Sequence, residues 1–261
     1  MPFASIQGMR MFYEEHGRPE GSPLLFLHGF SATRRLWHDH LASFGTTYRL
    51  IVPDLRGHGR TDNPGGLAAM NHRRFGRDII ALCQELELEH PILVGHSTGA
   101  MLQLTVGVEA PELPRALVLS AGTYVYGEEL RAWWRSRTPE THVPSERRAA
   151  AQDVHTAMGP DQWRLLAEAF LALHGHAPTE DFPDSEELRG IKAPTLIIHG
   201  DRDWFFPVAI PVALYGIIPA SELCILPNAG HGHVRSHADW WRSIVLDFLQ
   251  RRAGAGTPTT P

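Results

Sequence analysis

Short unbroken apolar runs recur along this chain, and longer stretches between them return apolar residues at helical spacing. The runs are Pro23–Leu27 (PLLFL), Tyr48–Pro53 (YRLIVP), Pro91–Val94 (PILV), Ala116–Ser120 (ALVLS), Thr195–His199 (TLIIH) and Glu222–Leu226 (ELCIL). Runs this short and this apolar suit strands buried on both faces. Helical periodicity covers Arg34–Phe44, His72–Leu88, Gly99–Ala110, Val208–Ile217 and Ala238–Arg252. In the last of these, Trp241, Ile244, Val245 and Phe248 share the face expected to meet the sheet. Strand and helix alternate, which predicts an α/β protein with a mostly parallel central sheet flanked by helices. Ala4–Gln7 and Met9–Glu14 alternate polar with apolar residues and predict an antiparallel hairpin at the edge of that sheet.

The alternation breaks between residues 124 and 189. Helical pieces such as EELRAWWRSR and DQWRLLAEAFLALHG occur there, separated by prolines and charged loops, without a convincing strand. The expectation is a core of residues 1–123 and 190–252 with a helical cap inserted at 124–189; the plainer alternative is a set of surface helices with no role in a site. Residues 253–261 (AGAGTPTTP) are poor in apolar side chains and read as a disordered tail.

Composition narrows the function classes. At 261 residues the chain is long enough for one α/β domain with a sizeable core. A formal net charge of −5, with acids and bases mixed, supplies no basic stripe for a phosphate backbone, so nucleic acid is excluded as a partner. No apolar run is long enough to span a bilayer and no signal peptide is visible, so a cytoplasmic protein with no membrane role is expected. Cys83 and Cys224 lie in apolar runs and read as buried free thiols. Nothing in the sequence favours one oligomeric state over another.

The sharpest chemical signal is Gly95-His96-Ser97-Thr98-Gly99, a G-x-S-x-G motif between a strand and a helix. A sharp turn there projects the Ser97 hydroxyl from the sheet edge, with a helix N-terminus behind it. A serine hydroxyl needs a base at neutral pH. His231, in the loop after ELCIL, is the preferred candidate over His233. Asp203, in HGDRD after TLIIH, is preferred over Asp201 as the carboxylate that orients the base; Asp201 reads as a turn cap. The backbone amides of Phe30 (in HGF) and Thr98 are the candidate oxyanion donors, and His28 is expected to fix the HGF loop. A metal site built from His231, His233 and His237 has no supporting carboxylate or cysteine cluster, so neither metal nor cofactor is expected.

In this order HGF, DLRGHGR (Asp54–Arg60), GHSTG, HGDRD and NAGHG resemble the α/β-hydrolase superfamily over nearly the whole chain apart from the insertion and the tail. The resemblance implies about eight strands, a triad at the C-terminal edge of the sheet, a cap shaping the pocket, and structural roles for Arg56 and His58. Serine at position 97 disfavours the relatives that use aspartate there. The expected activity is hydrolysis of a small or medium-sized hydrophobic carboxylic ester or lactone through an acyl-enzyme, of carboxylesterase type. The alternatives are carbon–carbon bond hydrolysis, non-haem haloperoxidase or perhydrolase chemistry, or a slow-turnover small-molecule receptor. Trp37, Trp133, Trp134, Trp163, Trp204 and Phe205, together with Phe30 and Phe170, are the candidate apolar lining for such a substrate. His174 and His176 read as surface or hinge positions.

Overall fold

The computed structural model describes residues 3–146, 148, 155, 159, 161–176 and 181–254. Eight strands form one sheet: β1 (Phe3–Ile6), β2 (Met9–Gly17), β3 (Pro23–Leu27), β4 (Arg49–Pro53), β5 (Ile92–His96), β6 (Ala116–Ser120), β7 (Thr195–Gly200) and β8 (Ser221–Leu226). Their order is β1-β2-β4-β3-β5-β6-β7-β8. β2 pairs antiparallel with β1 and with β4; the remaining pairs are parallel. The expected edge hairpin and helix-flanked parallel sheet are both present.

Among the described residues the helices are α1 (His38–Gly45), α2 (His72–Glu85), α3 (Thr98–Glu109), α4 (Glu128–Arg135), α5 (Pro139–His142), α6 (Gln162–His176), α7 (Ser185–Arg189), α8 (Ala209–Ile217), α9 (His233–Ser236) and α10 (Ala238–Arg252). The stretch predicted as one helix over Arg34–Phe44 divides into a 3-10 turn, Arg34–Trp37, and α1. Side chains alternate across each strand. Leu25, Leu27, Leu93, Leu117 and Ile197 pack with α2 and α3 on one face of the sheet. Leu24, Phe26, Val94, Val118 and Ile198 pack with Phe44 of α1 and with Trp241, Val245 and Phe248 of α10 on the other. No helix among the described residues is long and apolar enough to cross a membrane.

Three expectations need correction. Trp37 does not line a pocket: it is fully buried on the α1/α10 face. Its indole stacks on Phe26 at 4.8 Å and lies 5.6 Å from Trp241, because the 3-10 turn carries the chain beneath the sheet and aims this large apolar ring inward. Cys83 is buried, with its thiol pushed up to about 12 by burial, but Cys224, on the edge strand β8, is only half-buried. Of the expected tail, residues 255–261 lie outside the described residues, while Ala253 is buried against the α10 core.

Register is what positions a site. Leu27 is aligned with Gly95, His96 with Ser120, Ser120 with Ile198, and Gly200 with Leu226. The C-terminal ends of β3, β5, β6, β7 and β8 therefore form one edge, and the loops leaving them converge. The described residues between β6 and β7 form no strand; α4 to α7 lie there, with Trp134 of α4 and Phe170 of α6 packed edge-to-face at 4.8 Å. Buried polar contacts tie this connection to the loops beneath. Gln162 Nε2 donates to the carbonyl of Gly57 at 2.9 Å, the Gly59 amide donates to His155 Nδ1 at 3.0 Å, and His72 of α2 pairs with Asp181 at 2.5 Å.

Candidate active site

Ser97 occupies the turn from β5 into α3 with φ 54° and ψ −119°. This is the left-handed side of the map, costly for a residue with a Cβ and held only when its surroundings over-determine it. The surroundings do so through two glycines. A Cβ at Gly95 would lie 2.1 Å from the carbonyl oxygen of Gly99, and one at Gly99 would lie 2.0 Å from that of Leu27. The turn thus closes with backbone against backbone, and the Ser97 amide is anchored by donating to the Ser120 carbonyl at 2.9 Å.

Asp203 lies in the loop after β7 and His231 in the loop after β8. His231 Nδ1 donates to Asp203 Oδ2 at 2.8 Å, which leaves Nε2 free to take a proton. Asp203 Oδ1 accepts from the amides of Phe205 at 2.9 Å and Phe206 at 3.2 Å, fixing the carboxylate plane. Burial raises the Asp203 carboxyl, but the hydrogen bond and charge of His231, the charge of His199 and the Phe205 amide together hold it below the usual carboxylate value. Asp201 does not cap its own turn; its Oδ1 accepts from the Ala229 amide at 3.2 Å and joins the two loops. His233 is buried at the start of α9, and burial lowers it to about 4. His96 donates from Nε2 to the His231 carbonyl at 2.8 Å, so the residue preceding Ser97 also holds the loop of His231.

Ser97 and His231 line the same cavity, of about 220 Å³, walled by Phe30, Phe170, Phe205 and Phe206. The amides of Phe30 and Thr98 have no acceptor among the described residues; Thr98 opens α3, so its N–H is among those a helix leaves unpaired. Three neutral histidines set the Phe30 loop. His28 Nδ1 donates to the Gly29 carbonyl at 2.8 Å and Nε2 accepts from the Leu55 amide at 2.9 Å. His58 Nε2 accepts from the Ser31 amide at 3.2 Å, and His155 Nε2 lies 3.3 Å from the Ser31 carbonyl. Burial holds His28 and His155 at about 4 and His58 well below the ordinary value. Arg56 forms a fully buried bidentate pair with Asp78, both contacts at 2.7 Å.

The tryptophans expected in the lining divide. Trp133, Trp204 and Phe205 border a second cavity of about 530 Å³, which shares Phe205 with the first. Trp134 lies behind that wall, stacked on Phe205 with centroids 5.6 Å apart, because α4 turns it into the aromatic cluster with Phe170. Trp163 lines neither cavity; its ring carries the Arg148 guanidinium at 4.9 Å. His142 and His174 line the inner cavity and were not expected there. His174 is 2% exposed rather than at the surface, whereas His176 is exposed. A signal for His174 did exist: it follows Phe170 by one helical turn, on the apolar face of α6. Among the described residues, no group of three or more His, Cys, Asp or Glu is arranged to hold a metal ion.

A model of the Alpha/beta hydrolase family matches residues 24–243. The chain is 26% identical over 281 residues to the non-heme chloroperoxidase of Burkholderia pyrrocinia, covering 96% of this chain and 100% of the relative. It is 27% identical over 268 residues to the 2-hydroxy-6-oxo-6-(2'-aminophenyl)hexa-2,4-dienoic acid hydrolase of Metapseudomonas resinovorans, covering 96% of this chain and 91% of the relative. In fold it is similar to the enol-lactonase of Burkholderia xenovorans LB400, with a TM-score of 0.76 and 21% identity over 95% of this chain and 100% of that one.

Proposed function

Because the chain belongs to the α/β-hydrolase family, matched over residues 24–243, we propose that it is a serine hydrolase cleaving a small or medium-sized, uncharged hydrophobic ester or lactone. The observation that carries this reading is the 2.8 Å pairing of His231 with Asp203 in the wall that also holds Ser97 on its strained turn. Ser97 Oγ attacks the carbonyl as His231 Nε2 takes its proton, and the Phe30 and Thr98 amides receive the oxyanion. Each such donor contributes about 3 kcal/mol to transition-state stabilisation. The imidazolium, stabilised by Asp203, returns its proton to the leaving alkoxide. Water then attacks the acyl-enzyme with His231 as base, and Ser97 is regenerated. In this reading the connection between β6 and β7 is a cap, since Phe170, His142 and His174 close the cavity from above.

The choice of an uncharged substrate follows from what the cavity lacks. No arginine or lysine lines it among the described residues. A carboxylate such as that of the relative's dienoic acid would lose its hydration there without a partner, at a cost of several kcal/mol. The aromatic walls favour an apolar ester or lactone instead. A fluorophosphonate probe should label Ser97, and p-nitrophenyl butyrate should turn over. Ser97→Ala should abolish labelling and lower turnover by about 10⁴-fold or more with the melting temperature retained. Labelling elsewhere, or turnover that survives the substitution, would overturn the assignment.

A further inference from the structure

The inner cavity is aromatic on most of its surface, and His174 is the polar group that α6 contributes to it. Its Nδ1 lies 2.9 Å from the Phe170 carbonyl, one turn back on the same helix. A carbonyl only accepts, so Nδ1 carries the proton. The ring is 2% exposed and flanked by aromatic faces, Phe170 at 3.8 Å and Tyr126 at 4.8 Å between centroids. Burial, reinforced by the neighbouring His72, pushes its pKa well below the ordinary value, so the ring is neutral. Nε2, at the far end of the ring from the helix, therefore presents a bare lone pair. No described residue donates to it, so a ligand N–H or O–H entering the cavity meets an acceptor whose lone pair is unused.

The direction of the leaving group assigns the substrate's other half to this wall. His231 delivers the proton to the leaving oxygen, and Phe205, 4.6 Å from the His231 ring, borders the larger cavity lined by Trp133 and Trp204. In the hydrolase reading this routes the alcohol portion past Phe205. The acyl portion remains against Phe30, Phe170 and His174.

We propose that His174 selects acyl groups bearing a hydroxyl or amide N–H, by accepting a hydrogen bond at Nε2. The proposal rests on the hydrolase reading above. A neutral acceptor among rings rewards a donor and gives nothing to an alkyl chain of the same length, and it repels a carboxylate.

The test compares p-nitrophenyl butyrate with its 2-hydroxy and 3-hydroxy counterparts in the wild-type enzyme, His174→Phe and His174→Gln. The quantity read is the ratio of kcat/KM for the better hydroxy ester to that for butyrate. The wild-type ratio should exceed one. It should fall about tenfold in His174→Phe and be largely kept in His174→Gln, whose amide oxygen supplies an acceptor. A wild-type ratio of one or below, or a ratio unmoved by His174→Phe, overturns the proposal while leaving the hydrolase reading intact. Failure of all three esters together with no Ser97 labelling overturns the hydrolase reading, and the proposal with it. If the variants do not fold, side-chain ¹⁵N spectra of the wild-type protein decide: an Nδ1–H tautomer at neutral pH supports the proposal, and an Nε2–H tautomer or a charged ring ends it.

Discussion

The two walls of the inner cavity are built by different physics. Below, Ser97 and its neighbours are held by backbone pressed against backbone, with room for no side chain at Gly95 or Gly99 and a serine forced to φ 54°. Above, α4 and α6 meet through rings, with Trp134, Phe170 and His174 packed at 3.8–5.8 Å between centroids. Main-chain contact tolerates no substitution and fixes atoms where bonds are made and broken. Ring packing tolerates exchange at roughly constant volume and so leaves a surface that can be reshaped. On the proposed reading, chemistry and selectivity fall on opposite sides of one space.

The contrast can be broken most severely at Gly99. Gly99→Ala places a methyl group 2.0 Å from the Leu27 carbonyl oxygen, so the turn or β3 must move. Turnover should drop by about 100-fold or more and the melting temperature should fall; a variant with wild-type kcat would show that the lower wall is not rigid. The next effect comes from acid. His28, His58 and His155 link the Phe30 loop to its neighbours as neutral rings. The folded-state pKa values of His28 and His155, at about 4, lie below the ordinary 6.5, so the unfolded chain binds protons first as the pH falls. Their stabilisation is present above about pH 6.5 and is lost as the pH falls towards about 4, with a contribution of about 3 kcal/mol for the fully buried His28. Denaturant midpoints should decline over that interval; a flat profile would refute it. The smallest effect belongs to Trp204, which is 60% exposed at the mouth of the larger cavity. Trp204→Ala should raise KM for esters of bulky aromatic alcohols about threefold to tenfold, the loss of one apolar contact surface, with kcat and thermal stability nearly unchanged. An equal rise for methyl esters would remove that cavity from the leaving-group path.

The lower wall was far more legible from the chain than the upper. Apolar runs locate the strands to within one or two residues because every run except that of the edge strand β8 is buried on both faces, and the expected Ala116–Ser120 strand coincides with β6. Ser97, Asp203 and His231 were expected at the ends of three such strands, and parallel register brings those ends together. Trp37 was misplaced because an aromatic residue near a catalytic loop carries no mark of which side of the sheet its turn will face. His174 reads from the sequence as a surface or hinge position, whereas its spacing from Phe170 puts it on the buried stripe of α6. Asp201 was read as a local cap because its partner, Ala229, is 28 residues away. Local chemistry is written in adjacent letters; contacts between elements are not.

The ties from Gln162 to Gly57, His155 to Gly59 and Asp181 to His72 bear on how molecules come and go. Swinging the upper helices away as a unit would strip these partners from sites sealed against solvent, at about 1–3 kcal/mol each. Turning the exposed indole of Trp204 away from Phe205 and Trp133, 3.7 and 5.4 Å between centroids, gives up ring contacts but no buried polar pair. On the proposed reading, widening the rim of the larger cavity therefore costs less than lifting the helices above the inner one.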